Sequence, residues 1–187
     1  MDDLIFYPPA ITNQNQWYRF FTSGLIHADI MHLLFNMYSF YLFGEMVESA
    51  FSNIYGASGK LVFGILYISA LLVSILPTYL HHKDDYRYRS LGASGAVSAI
   101  IFAGIFIFPT IGMGIFPIPF HIPGFIFGPL YLIVSYYISQ KGHGNINHSA
   151  HIWGALYGIV FVIVTATFLT KADLLNNFIY QVMDYLR

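Results

Sequence analysis

The chain has 187 residues, of which 57% are hydrophobic, 19% aromatic and only 9% charged, with a mean hydropathy of +0.61; a soluble domain carries about 25% charged residues, so a membrane protein is expected. A net charge of -1 without any basic run or stripe excludes a nucleic-acid footprint. The absence of cysteine removes disulfides, thiolate metal sites and cysteine nucleophiles.

Residues 1–30 are semi-polar but rich in aromatics, with Phe6, Tyr7, Trp17, Tyr18, Phe20 and Phe21, which suits a segment lying at the water–lipid boundary. Asp2, Asp3, Pro8, Pro9 and Arg19 deny it a basic start followed by an apolar core, so the first membrane segment is expected later. Residues 30–51 are apolar but carry His32, Asn36, Gly44, Glu45 and Glu48, which predicts a helix buried among others. Residues 52–60 are a turn by composition, and residues 61–80 form the cleanest span, about 20 residues without a charge.

Residues 81–90 are the most charged loop, and residues 91–108 form a span that begins with Ser94. Pro109, Pro117, Pro119 and Pro123 with Gly112, Gly114 and Gly124 break up residues 109–124, which predicts an interfacial or re-entrant connection. A short span over 125–139, a polar loop over 140–147 and a last span over 149–169 follow. The expectation is an all-α, polytopic bundle forming a single domain over 1–187. It comprises an interfacial segment over 1–30, five transmembrane spans within 31–170 and an amphipathic tail over 171–187. An odd number of spans puts Ser94 and His151 on the side of residues 1–30. That side holds Arg19, Lys83, Arg87, Arg89 and Lys141, against Lys60, Lys171 and Arg187 on the other, a small excess that points it to the cytoplasm.

Chemistry concentrates where span starts carry polar groups. Ser94 stands between Gly92-Ala93 and Gly95, and Gly95, Ala99 and Ala103 recur on one face, which lets another helix approach closely. The matching face is His151, Gly154 and Gly158, an imidazole followed by two notches, so that Ser94 and His151 meet if the faces meet. A serine beside an imidazole is the minimal nucleophile and base. Taken alone, Gly-Ala-Ser-Gly reads as a packing notch, and a second copy, Gly56-Ala57-Ser58-Gly59, lies in a polar turn without a partner histidine. His32 and Asn36 share one helical face and, alone, read as an interhelical polar contact; with Ser94 and His151 at the same end they could hold an oxyanion together with the Ser94 N–H. His148 and His151, with His143 or His32, could chelate an ion, but no His-Glu-x-x-His is present and no carboxylate lies beside them, so no metal and no cofactor is expected.

Four patterns together resemble the rhomboid family of intramembrane serine proteases, of the bacterial type: Gly92-Ala93-Ser94-Gly95, Ala150-His151-x-x-Gly154-x-x-x-Gly158, His32-x-x-x-Asn36 and Gly44-x-x-x-Glu48. The resemblance runs over residues 17–168. It implies a dyad without a carboxylate, with Ser94 as nucleophile and His151 as base. His32 and Asn36 would be oxyanion donors, Arg19 a structural arginine and Glu48 a helix-locking carboxylate. The family's first core span, expected before Trp17, is absent, which implies a fragment or a misassigned start. Where some members stack an aromatic on the histidine, this chain has Ser98, so His151 needs another means of orientation, with His148 a candidate. The implied function is cleavage of transmembrane segments in single-span or polytopic membrane proteins through an acyl-enzyme. The implied location is multi-pass in a bacterial inner membrane, with the site opening to the non-cytoplasmic side, opposite to the charge count. The alternatives are an inactive relative that binds transmembrane helices, or a small transporter using the same polar residues.

Overall fold

The computed structural model describes residues 2–114, 121–141 and 147–187; Pro117 and Pro119 of the irregular connection and His143 of the polar loop lie outside the described residues. The N-terminal segment holds two short helices, α1 (Pro8–Gln14) and α2 (Arg19–Thr22), the first opened by prolines whose missing N–H costs nothing in a first turn. Its aromatics divide. Phe6 and Phe20 are buried with Ile11 and Ile75, whereas Trp17, Tyr18 and Phe21 stay exposed on the outside. Phe6 also exchanges both backbone hydrogen bonds with Ser90, at 3.0 and 3.1 Å, which ties the N-terminus to the loop leading into Ser94.

Helix α3 (Ile30–Tyr55) is capped by Asp29, whose carboxylate accepts the His32 N–H at 2.8 Å. It reverses into α4 (Gly59–Val73) through Gly56-Ala57-Ser58-Gly59. Gly56 sits at φ +59° and a Cβ on Gly59 would meet the Ser52 backbone at about 2.5 Å, so this copy of the motif makes a tight corner. The uninterrupted helix expected over residues 61–80 is broken instead. Pro77 cannot donate to the Val73 carbonyl, and a new helix, α5 (Leu76–His82), starts after Ser74 and Ile75.

Helix α6 (Ser94–Ile107) starts three residues later than the hydropathy onset at Leu91, is about 21 Å long, and is buried on nearly all sides. Hydrocarbon about 30 Å thick is deeper than this helix is long. Against it lies α8 (His148–Thr170), with α7 (Gly124–Lys141) on the outside of the pair. The described ends of the 109–124 connection form a two-residue antiparallel ladder, β1 (Gly112–Met113) with β2 (Ile122–Pro123), a small departure from an all-α fold. Last comes α9 (Leu174–Tyr185), which lies across the end of α6: Gln181 donates to the Ile107 carbonyl at 3.0 Å, and Phe178 stacks on Phe106 at 5.1 Å. That side-chain amide satisfies a carbonyl the helix end would otherwise leave open.

The core runs through Val47, Phe51, Leu66, Ile100 and Val162, where α3, α4, α6 and α8 converge. Outward faces remain apolar, with Phe35, Tyr41, Leu61, Ile133, Val160 and Phe168 all exposed. The run Ile30–His82 and α8 are each long and apolar enough to cross a membrane.

Candidate active site

Gly92 sets the geometry of the approach to α6. Its φ of +106° is closed to other residues, and a Cβ there would meet the His32 ring at 2.8 Å from Cε1 and 3.0 Å from Nε2. Its N–H donates to the Ser23 carbonyl at 2.9 Å. The His32 ring from α3 therefore lies directly on the loop that presents Ser94. Ala93 caps α6 with its backbone alone, so the first amides of the helix, starting with Ser94, take no side-chain cap and form a cluster of donors at its positive end.

The first turn of α8 is held by Asn147. Its Oδ1 accepts the Ala150 N–H at 3.0 Å, and its amide meets the Thr78 hydroxyl of α5 at 3.2 Å. One turn on, His151 Nε2 lies 2.7 Å from Ser94 Oγ. This closeness depends on the glycines. A Cβ on Gly154 would fall on the Gly95 carbonyl oxygen and one on Gly158 on the Ala99 carbonyl oxygen, so the two backbones touch where larger residues would separate them. Gly95 is hemmed in likewise, 2.5 Å from Ser74 Oγ if it carried a Cβ.

Among the described residues, the side chain of His151 bonds to Ser94 at Nε2 and to Tyr131 at Nδ1, where the α7 hydroxyl is 3.2 Å away. The sequence reading missed Tyr131 and looked to His148 instead. The His148 ring stands edge-on to His151 at 5.8 Å and, among the described residues, makes no hydrogen bond to it; its buried Nδ1 has no partner among those residues. Asn36 is buried and donates to the His32 carbonyl at 3.0 Å. His27 packs against His32 with ring centroids 5.0 Å apart; burial first and the neighbouring His32 second hold it below the ordinary histidine range, so it is neutral near pH 7. A pocket of about 20 Å³, room for one water, opens beside Ser94 between Ser74, Ser90, Gly92 and Asn147.

The remaining candidates stand away from the dyad. Arg19 is 4% exposed. It donates to Gln16 Oε1 at 2.5 Å and to the Asp2 and Ile5 carbonyls at 2.7 Å each, clamping the N-terminal segment. Glu48 pairs with Lys60 across the α3–α4 corner at 3.6 Å, an exposed contact that adds little stability.

Comparison with known proteins covers most of these elements. Residues 14–168 match the Rhomboid domain. The chain is 34% identical over 148 residues to the RHOMBOID-like protein 12, mitochondrial, of Arabidopsis thaliana, covering 72% of this chain and 42% of that protein. It is 28% identical over 145 residues to the putative rhomboid protease YdcA of Bacillus subtilis, covering 78% of this chain and 65% of that one. With the rhomboid protease GlpG of Haemophilus influenzae it shares 26% identity over 164 residues, 86% of this chain and 77% of that one. The chain thus spans less than two thirds of the first two relatives' length. Because the matched region takes in both the Ser94 and His151 helices and the apolar bundle around them, this integral membrane protein belongs to the rhomboid family.

Proposed function

We propose that the chain is an intramembrane serine endopeptidase in which Ser94 and His151 cleave transmembrane segments of other membrane proteins. The observation that carries this is the 2.7 Å contact between Ser94 Oγ and His151 Nε2 at the buried start of a short helix. In this mechanism His151 Nε2 takes the Ser94 proton as Oγ attacks the scissile carbonyl. The oxyanion that forms is met by the amides opening α6, with His32 and Asn36 as the side-chain donors. Each donor of this kind is worth about 3 kcal/mol in the transition state. Collapse passes the proton from His151 to the leaving amine and leaves an acyl-enzyme at Ser94. Water then attacks with His151 again as base, and the pocket beside Ser94 is a reservoir of suitable size.

A substrate helix hides its carbonyls in its own hydrogen bonds, so segments with small or helix-breaking residues are the favoured substrates. The test is labelling of the detergent-solubilised chain with a fluorophosphonate. Wild type is expected to label and Ser94→Ala and His151→Ala are not; a folded wild type that does not label favours an inactive relative that binds transmembrane helices. The same reading sets the protein in a bacterial inner membrane with Ser94 opening to the non-cytoplasmic side. The natural lack of cysteine makes this directly measurable. An impermeant maleimide on whole cells is expected to label Tyr86→Cys but not Lys60→Cys, and the reverse pattern overturns the orientation.

A further inference from the structure

We propose that Tyr131 is the positioning residue for His151: its hydroxyl, delivered by α7, holds the imidazole in the tautomer whose Nε2 lone pair faces Ser94. The inference rests on the reading of Ser94 and His151 as a catalytic pair and adds the part that pair lacks. An imidazole that accepts a proton at Nε2 must carry its own proton on Nδ1. A buried N–H needs an acceptor, and a ring with one partner is free to turn about its broad second torsion. Most serine hydrolases meet both needs with a carboxylate. Here the group facing Nδ1 is the Tyr131 oxygen, at 3.2 Å.

The direction of the bonds follows from the catalytic reading itself. Nε2 faces Ser94 at 2.7 Å and must accept there, so the imidazole proton sits on Nδ1 and the Tyr131 oxygen, with its free lone pairs, accepts it. The chain of donors runs from Ser94 Oγ–H to His151 Nε2 and from His151 Nδ1–H to Tyr131. When His151 takes the Ser94 proton, both N–H groups of the imidazolium retain acceptors, and no proton leaves Tyr131. Ser98, one turn beyond Ser94, is small enough to leave this approach open. Phe102 and Phe127, with ring centroids 5.7 and 6.0 Å from Tyr131, fix the phenol ring independently of its hydroxyl.

Tyr131→Phe removes one oxygen and keeps that ring packing. On a reporter single-span substrate, kcat is expected to fall about 10- to 100-fold, the cost of a misplaced catalytic group, with KM within about twofold of wild type. Nitrogen-15 NMR of imidazole-labelled protein, with the His151 signals identified by their loss in His151→Ala, is expected to show wild type protonated at Nδ1 and Tyr131→Phe as a mixture of tautomers. A purely structural role would leave that signature alone. Wild-type His151 protonated mainly at Nε2 overturns the proposal without recourse to any variant. So does a folded Tyr131→Phe with wild-type kcat, provided Ser94→Ala is inactive. Cleavage that survives Ser94→Ala is a different failure, that of the catalytic pair itself.

Discussion

Ser94→Ala and His151→Ala are each expected to reduce kcat on a single-span reporter substrate by on the order of 10⁵-fold, and the double variant to lose no more than the worse single. The two side chains act in one event, so removing either ends it; what remains is rate enhancement from binding and from the amides of α6. Neither substitution attacks the fold at a point that would imitate this loss. Ser94 does not cap its helix with its side chain, since the cap is the backbone of Ala93. His151 lies within the first turn of α8, but the cap there belongs to Asn147. Alanine is the best helix former in both places, so thermal unfolding in detergent is expected to move by only a few degrees. Additive losses in the double variant would mean that the residues work independently, and residual cleavage within tenfold of wild type would remove Ser94 as nucleophile.

The spacing of small residues made the central contact legible in the sequence. Gly95, Ala99, Gly154 and Gly158 are small enough to bring two backbones together, and that closeness sets Ser94 against His151. Other features depend on single residues that averaging conceals. Pro77 breaks the cleanest hydropathy run because one missing N–H outweighs an apolar window. Gly92 delays the start of α6 because its backbone must turn under the His32 ring. The bridge between Phe6 and Ser90 and the burial of Phe6 and Phe20 join stretches more than 50 residues apart, which no local pattern specifies. Tyr131 has no local signature. It is one of 15 tyrosines in an aromatic-rich run, 20 residues from the histidine it faces. Ser98, one turn after Ser94, offers no ring to stack on His151, which implies that the imidazole needs another partner without saying which helix supplies it.

Gly154→Ala is expected to damage activity far more than Gly158→Ala at similar cost in stability. Both place a methyl group on a carbonyl oxygen of α6, Gly95 in one case and Ala99 in the other. Backbone cannot yield as a side-chain tip can, so α8 must shift as a body, an overpacking strain of about 1–3 kcal/mol. The consequences for chemistry differ by position. Gly154 is less than one turn from His151 and opposes the residue next to Ser94, so a shift there lengthens the Ser94–His151 contact directly; a displacement of about 1 Å is enough for a hundredfold loss. Gly158 is a further turn away, where tilting of α8 about its Asn147 end can absorb the strain, and a loss of no more than about tenfold is expected. Gly64 provides the control, since a Cβ there meets nothing within 4 Å; Gly64→Ala should be neutral or stabilise α4 by up to about 1 kcal/mol. Thermal unfolding in detergent and kcat on the reporter substrate, measured on the three variants together, separate the effects. Equal activity losses at 154 and 158 would mean that α8 moves rigidly and that its contact with α6 is set along the whole interface.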